Sequence, residues 1–366
     1  MGFRPPPYPY DRLGPILAAA GAHEGGVVDL SIGTPGDPPP AAVVAALASS
    51  GAERGYPPSI GSPAFREAAA GWMARRLGVE VPAAAIAACV GTKELVATTP
   101  HWLRLRDPSR DTVLYPAVSY PTYEMGAVLA GCRPVPLPVD DKWRIDLAAV
   151  DEADAARALC LWVNTPANPT GALDDLGTVA AWARARGIPV FSDECYVEFT
   201  WDGPRRTVLE HGLDGLVAVH SLSKRSNLAG LRAGFIAGDP ELVAYLAEVR
   251  KHVGMMVPGP VQAAAAVALG DDLHVDEQRA RYHERLAFLG EVLASVGWEC
   301  TLPGGGFYLW ARAPGGDSWA AADDLARRGG AVVAPGEFYG QEGAGWLRAA
   351  VVVPMERLRL VADRLG

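Results

Sequence analysis

Lysine is scarce in this chain. Only four are present (Lys93, Lys142, Lys224 and Lys251), so nearly all of the 33 basic side chains are arginine. Where arginine is the default cation, a lysine at the end of an apolar run suggests work that a guanidinium cannot do. A desolvated ammonium can lose its proton and attack a carbonyl. Asparagine is scarcer still, with three residues: Asn164, Asn168 and Asn227. The five cysteines (Cys89, Cys132, Cys160, Cys195, Cys300) are scattered, odd in number and without a C-x-x-C pair. They read as reduced core residues and exclude a redox or metal motif. No apolar run is long enough to cross a membrane, and MGFRPPPYPYDRLGP lacks the hydrophobic centre of a signal peptide. After Met1-Gly2, Pro6 stands where a myristoylation signal wants Ser or Thr. The expected location is the cytoplasm. A net charge of -9 argues against nucleic acid or an anionic membrane as partner, although local arginines can still hold small anions.

The 366 residues are enough for about two domains with a large core. Residues 1–40 are proline-rich and read as an extended arm with one short helix at Pro15–Ala20. Ser62-Pro63 reads as the N-cap and first residue of a helix. A rhythm then sets in: the strand-length runs AIAACV, DTVLYP, RPVPLP, LCLWVN, IPVFSD and GLVAVH, most of them separated by helical stretches. Such alternation predicts an α/β fold with a mostly parallel central sheet flanked by helices. RAGFIAG comes after GLVAVH too soon for a parallel crossover, so it is expected as one antiparallel strand. Beyond residue 258 the pattern changes to long helical segments and the strand candidates GGFYLWAR, AVVAPG and WLRAAVVV, a smaller α+β domain. The expected division is 1–40 as arm and start of the small domain, 41–257 as the large domain, and 258–366 as the rest of the small one.

Ligands of open α/β sheets bind outside the carboxyl ends of the strands. The residues just after each expected strand are therefore candidates for a site. Gly91-Thr92-Lys93 opens a helix after the first. Ser119-Tyr120-Pro121 comes after the second, NTPANPTG (Asn164–Gly171) contains Asn168, and Asp193-Glu194-Cys195-Tyr196 and Ser221-Leu222-Ser223-Lys224 stand after two more. Open N–H groups at a helix start, with a lysine beside them, suit a phosphate-sized anion. Singly, each residue has an ordinary reading: Asp193 as a helix cap, Tyr120 and Tyr196 as core aromatics, Asn168-Pro169-Thr170-Gly171 as a turn, Arg348 as an ion-pair partner. Convergence on one sheet edge weakens those readings together.

Rival motifs fail. Ser221-x-x-Lys224 has no Ser-Asp-Asn or Lys-Thr-Gly to accompany it, and no G-x-S-x-G, Walker A or H-E-x-x-H is present. PGGGFYLW lacks dinucleotide-binding spacing and reads as a turn. The constellation asks for a cofactor with a carbonyl, a phosphate and a ring nitrogen, and pyridoxal 5'-phosphate meets all three demands.

NTPANPTG, SDECY and SLSKRSNLAGLRAGF, in this order and spacing, resemble the class I/II (fold-type-I) pyridoxal phosphate-dependent aminotransferases, over about Leu30 to Leu365. The resemblance implies a catalytic Lys224 that bonds to the cofactor aldehyde and later carries a proton. It implies Asp193 on the pyridine nitrogen, and Tyr196 and Asn168 on the phenolic oxygen. Tyr120 would stack on the ring, and Gly91, Thr92, Lys93, Ser221, Ser223 and Arg232 would hold the phosphate. Arg348 would take the substrate α-carboxylate, for which a planar fork is suited. Gly33 and Tyr56 match positions near the substrate, with Tyr56 reaching the phosphate of a neighbouring subunit in a homodimer with shared active sites.

GTKELVATTP, YPTYEMGAVLAG, SDECYVEFTWD and RKHVGMMVPGPVQAA look most like N-succinyldiaminopimelate aminotransferases. Those exchange an amino group between glutamate and N-succinyl-2-amino-6-oxopimelate. The alternatives are transaminases of aspartate, aromatic or other amino acids, and C–S β-lyases. For a distal carboxylate, Arg225 and Lys251 are candidates beside their plainer readings as a solvated turn and a helix end. The fold also serves transcription regulators as a sensing domain behind a basic winged-helix segment, whereas here a short proline-rich arm precedes it.

Overall fold

The computed structural model describes residues 3–366; Met1 and Gly2, on which the myristoylation reading turns, lie outside them. The arm begins with a 3-10 turn at Pro9–Leu13, runs into α1 (Gly14–Ala20) and forms a two-residue strand, β1 (Val28–Asp29). Then come α2 (Ala41–Ser49) and α3 (Pro63–Leu77). Ser62 caps α3 as expected, its hydroxyl accepting from Phe65 N (3.2 Å), and Pro63 takes the first helical position.

The alternating portion comes next in chain order. It comprises β2 (Ile86–Cys89), α4 (Thr92–Arg106), β3 (Thr112–Pro116), α5 (Thr122–Leu129), β4 (Arg133–Leu137), α6 (Glu152–Ala156) and β5 (Ala158–Asn164). It continues with α7 (Leu176–Arg184), β6 (Val190–Asp193), β7 (Leu216–Ser221), the single turn α8 (Leu222–Arg225), β8 (Gly234–Gly238) and α9 (Pro240–His252). These strands form one seven-stranded sheet in the order β2-β8-β7-β6-β5-β3-β4. Pairings among β7, β6, β5, β3 and β4 are parallel, and β8 is antiparallel to both its neighbours. This is the expected architecture, including RAGFIAG as the antiparallel strand.

β5 is buried at every position because helices cover both faces, which is why its sequence is a continuous apolar run. Successive residues point to opposite faces. Leu161, Val163, Val190 and Ala218 pack with α3, α7 and the later helix at Gly259–Gly270, whereas Cys160, Trp162, Phe191 and Val219 pack with α4, α5 and α9.

The remainder is α10 (Gly259–Gly270), α11 (Leu273–Ser295), β9 (Glu299–Cys300), β10 (Tyr308–Arg312), α12 (Ser318–Gly329), β11 (Ala331–Val332), β12 (Ala334–Pro335), β13 (Trp346–Ala350) and α13 (Met355–Leu365). α10, just past residue 258, packs on α2 and α3 and shares the core of the large sheet. β12, β13, β10 and β9 form an antiparallel sheet with its own core, to which the arm contributes Leu13, Ile16, Val28 and Leu30. AVVAPG divides between two sheets, β11 pairing with β1 and β12 with β13. No helix among the described residues is long and apolar enough to cross a membrane.

Candidate active site

Because β8 is antiparallel to both β2 and β7, the carboxyl ends of β2, β3, β5, β6 and β7 all open on one edge. A cavity of about 500 Å³ lies there. It is lined by Gly33, Thr92, Lys93, Tyr120, Asn168, Asp193, Tyr196, Ser221, Ser223, Lys224, Arg232 and Arg348, twelve of the residues singled out in the sequence. Gly91 lies directly behind the wall. It has φ +74° at the start of α4, and a Cβ there would collide with the Arg232 guanidinium. Glycine thus lets that cation lie against the backbone where the first N–H groups of α4 lack a side-chain cap. Gly33 has a similar reason: a Cβ would strike the Tyr308 hydroxyl.

Lys224 sits in the turn of α8, and Ser221 caps that turn by accepting from Ser223 N (3.2 Å). Its amine donates to Gly33 O. Burial, reinforced by the positive charges of Arg348 and Arg232, pushes the amine down to about 8. Asp193 ends β6. Its Oδ2 accepts from the Tyr123 hydroxyl (2.8 Å) and its Oδ1 from Cys195 N (3.2 Å). Burial nonetheless raises its pKa above the usual carboxylate range. Asn164 ties the neighbouring loop to this strand end, its amide donating to Asp193 O (2.8 Å) while its Oδ1 accepts from Asn168 N (2.7 Å).

Arg348 projects from β13, 3% exposed. Nη1 donates to Asn168 Oδ1 (2.8 Å), and Nη2 donates to Ser31 O and to the Tyr10 hydroxyl (3.2 Å). Nε has no partner. The guanidinium lies over the rings of Tyr308 (4.2 Å) and Tyr339 (4.9 Å). With its oxygen engaged by Arg348, Asn168 keeps its amide hydrogens for an acceptor in the cavity. The Tyr196 hydroxyl pairs with that of Tyr308 (2.9 Å).

Tyr56 is not brought to the cavity; it is 97% exposed between α2 and α3. Arg225 corrects both of its expected readings. It is neither a solvated turn nor a substrate cation, but is buried away from the cavity, donating to Ala268 O (2.6 Å) beside Glu198 (3.4 Å). One residue is about 100° of helix, so α8 aims Lys224 and Arg225 in different directions. Lys251 is an exposed helix-end residue near Glu248 (3.4 Å).

The sequence reading missed Tyr8, Tyr10, Ile32, Thr34, Asn164, Cys195 and Tyr308 in the lining, and Tyr123 behind it. Asn164 and Cys195 stand inside quoted motifs and Tyr123 inside YPTYEMG, whereas the arm residues carry no local signal.

Four cations (Lys93, Lys224, Arg232, Arg348) face this cavity and one carboxylate, Asp193. A dianionic phosphate and a carboxylate would balance that excess. The buried amine, the carboxylate, the open helix start and the arginine on the wall therefore fit pyridoxal phosphate with an amino or keto acid.

A family model described as aminotransferase class I and II matches residues 25–365. The chain is 44% identical over 98% of its length, and 99% of the relative's, to 4-dedimethylamino-4-oxo-anhydrotetracycline transaminase OxyQ of Streptomyces rimosus. It is 36% identical to the LL-diaminopimelate aminotransferase of Desulforudis audaxviator, over 98% of this chain and 95% of that one. Its structure superposes on a probable N-succinyldiaminopimelate aminotransferase of Thermus thermophilus with a TM-score of 0.86 at 32% identity, covering 97% and 98% of the two chains.

Proposed function

The chain belongs to aminotransferase class I and II, a family dependent on pyridoxal phosphate, and from that premise we propose its substrates and the work of its residues. The reaction we assign is exchange of an amino group between glutamate/2-oxoglutarate and N-succinyl-2-amino-6-oxopimelate. The observation that carries this is Arg348, a buried guanidinium on the cavity wall that is left for a substrate carboxylate once Lys93, Lys224 and Arg232 serve the cofactor. Arg348 takes the α-carboxylate. The relatives named for diaminopimelate chemistry support the same reading.

When bound, pyridoxal phosphate supplies an aldehyde that takes the amino group and a protonated ring that accepts the electron pair left at Cα. Lys224 provides an amine whose uncharged form is accessible near neutrality, and it moves the proton at the substrate Cα. Asp193 holds a proton on the ring nitrogen, while Tyr196 and the amide of Asn168 donate to the phenolic oxygen. Tyr120 packs on the ring face. Ser221, Ser223, Arg232 and the Gly91-Thr92-Lys93 helix start hold the phosphate, and Gly33 leaves room for substrate. Tyr56 reaches the phosphate of a neighbouring subunit, in a cytoplasmic homodimer.

A second reading is favoured by the cavity mouth, where Tyr8 and Ile32 are 51% and 49% exposed. That apolar rim suits a large flat acceptor, as the name of the Streptomyces rimosus relative would require. The test is a panel of amino donors and keto acceptors given to the purified protein with pyridoxal phosphate. Transfer from glutamate to the succinylated keto acid at the highest kcat/KM supports the first reading. Preference for aspartate, aromatic or polycyclic acceptors, or release of pyruvate and sulfide from cystathionine, overturns it.

A further inference from the structure

We propose that the Tyr10 hydroxyl, delivered by the N-terminal arm and oriented by Tyr339, is a second hydrogen-bond donor to the substrate α-carboxylate beside Arg348. This rests on the reading of Arg348 as the carboxylate-binding residue.

Tyr10 lies in the Pro9–Leu13 turn and lines the cavity, whereas Tyr339 stands behind it, buried. Their hydroxyl oxygens are 2.7 Å apart, and Tyr10 also accepts from Arg348 Nη2 (3.2 Å). A phenol has one proton to give and two lone pairs to receive with. When Tyr339 donates to Tyr10, both acceptor positions of Tyr10 are filled, by Tyr339 and by Arg348. Its own proton is then left for a group in the cavity next to Nη2. An anion seated on Arg348 favours that arrangement over the reverse, in which Tyr10 spends its proton on Tyr339. Arg348 over the face of the Tyr339 ring adds a second restraint (4.9 Å).

The arm can hold a hydroxyl at this point because it is anchored. Leu13 and Ile16 are buried in the same core as β13, and the Tyr10 ring packs against Phe338 (5.3 Å between centroids). The donor thus comes from a segment more than 300 residues away from Arg348 in sequence.

The test compares Tyr10→Phe, Tyr339→Phe, their double mutant and Arg348→Lys in the holoenzyme, with the visible cofactor absorbance and thermal midpoint as controls on folding. Tyr10→Phe is expected to raise KM for the amino acid and for its keto acid together by roughly 5- to 20-fold, with a smaller change in kcat, as loss of one hydrogen bond to a charged group would give. Reaction with an amine lacking the carboxylate should be unaffected. Tyr339→Phe should give part of the same rise, and the double mutant no more than Tyr10→Phe alone. If Arg348→Lys raises KM while Tyr10→Phe leaves it within 2-fold, the proposal is wrong and the arginine reading stands. Equal losses with and without the carboxylate would mark Tyr10 as structural and also overturn it. If Arg348→Lys itself leaves KM unmoved, the underlying reading fails instead.

Discussion

Lys224 and Arg225 are neighbours in the chain, yet they serve two regions built on opposite electrostatic plans. Behind the sheet edge, the Glu198 carboxylate is surrounded by Arg76 (3.0 Å), Arg205 (2.9 Å) and Arg225 (3.4 Å), and accepts from Trp72 Nε1 (2.7 Å). Asp276 (2.5 Å to Arg76) and Asp272 (3.4 Å to Arg225) supply more negative charge. There the chain answers its own charges and ties α3, α8 and α11 together. In front, four cations face one carboxylate, and a lysine is held part-way to neutrality. A buried charge costs free energy unless it is answered. The first region answers from within, and the second leaves the answer to a ligand.

The comparison breaks most severely at Lys224. Lys224→Ala should still bind pyridoxal phosphate, through the phosphate-holding residues, and lose turnover by roughly 10⁴-fold or more, since the other amine on the wall, Lys93, is engaged with Tyr8 and has its pKa raised rather than lowered. The wild-type protein should be yellow, with a band that borohydride fixes covalently; in the variant the label should not attach. Full turnover by Lys224→Ala would end the mechanism.

Glu198→Ala addresses the other region. Removing that carboxylate leaves Arg225 and Arg76 without their common partner, at about 3–5 kcal/mol of stability. The denaturant midpoint should fall accordingly, while any protein still folded keeps its KM. A variant as stable as wild type would show that the hub is not what holds these helices.

The lysine also gives the cavity a pH signature of its own. Its pKa is about 8 in the folded, cofactor-free protein and near 10.5 in an unfolded chain. Between those values the unfolded state binds the extra proton, so this group makes stability rise from pH 8 towards 10.5 and leaves it flat below about 8. Lys224→Met should remove that rise. Unchanged pH dependence in the variant would place the amine in a wetter site than the one described.

How much of this the sequence discloses depends on how local each arrangement is. Asn168, Asp193 and Lys224 were legible because each stands after a buried apolar run, and the parallel topology then fixes which edge they share. The parallel sheet and its antiparallel strand were legible for the same reason, from runs such as LCLWVN and the short gap before RAGFIAG. Arg225 was not, because adjacency to Lys224 says nothing about direction within a single helical turn. Neither were Tyr10, Tyr308 and Tyr339, whose hydroxyls meet Arg348, Tyr196 and Tyr10 respectively only after the arm and the C-terminal sheet pack together. Nor was β1, two residues long, whose pairing with β11 joins segments some 300 positions apart.

Tyr123 lies on the boundary between the two plans and gives the finest test. Its ring belongs to the core, stacked on Trp162 (5.3 Å) and wholly buried, while its hydroxyl donates to Asp193 at the cavity wall (2.8 Å). That hydrogen bond stabilises the charged carboxylate and so opposes the rise that burial imposes on it. Tyr123→Phe keeps the ring and its packing and removes only the donor. Asp193 should become harder to ionise and a poorer partner for a protonated ring nitrogen. Turnover should drop about 10-fold at unchanged KM, consistent with loss of one charge-assisted hydrogen bond. If stability falls instead and kcat holds, Tyr123 belongs wholly to the core, and the working region ends at the Asp193 carboxylate.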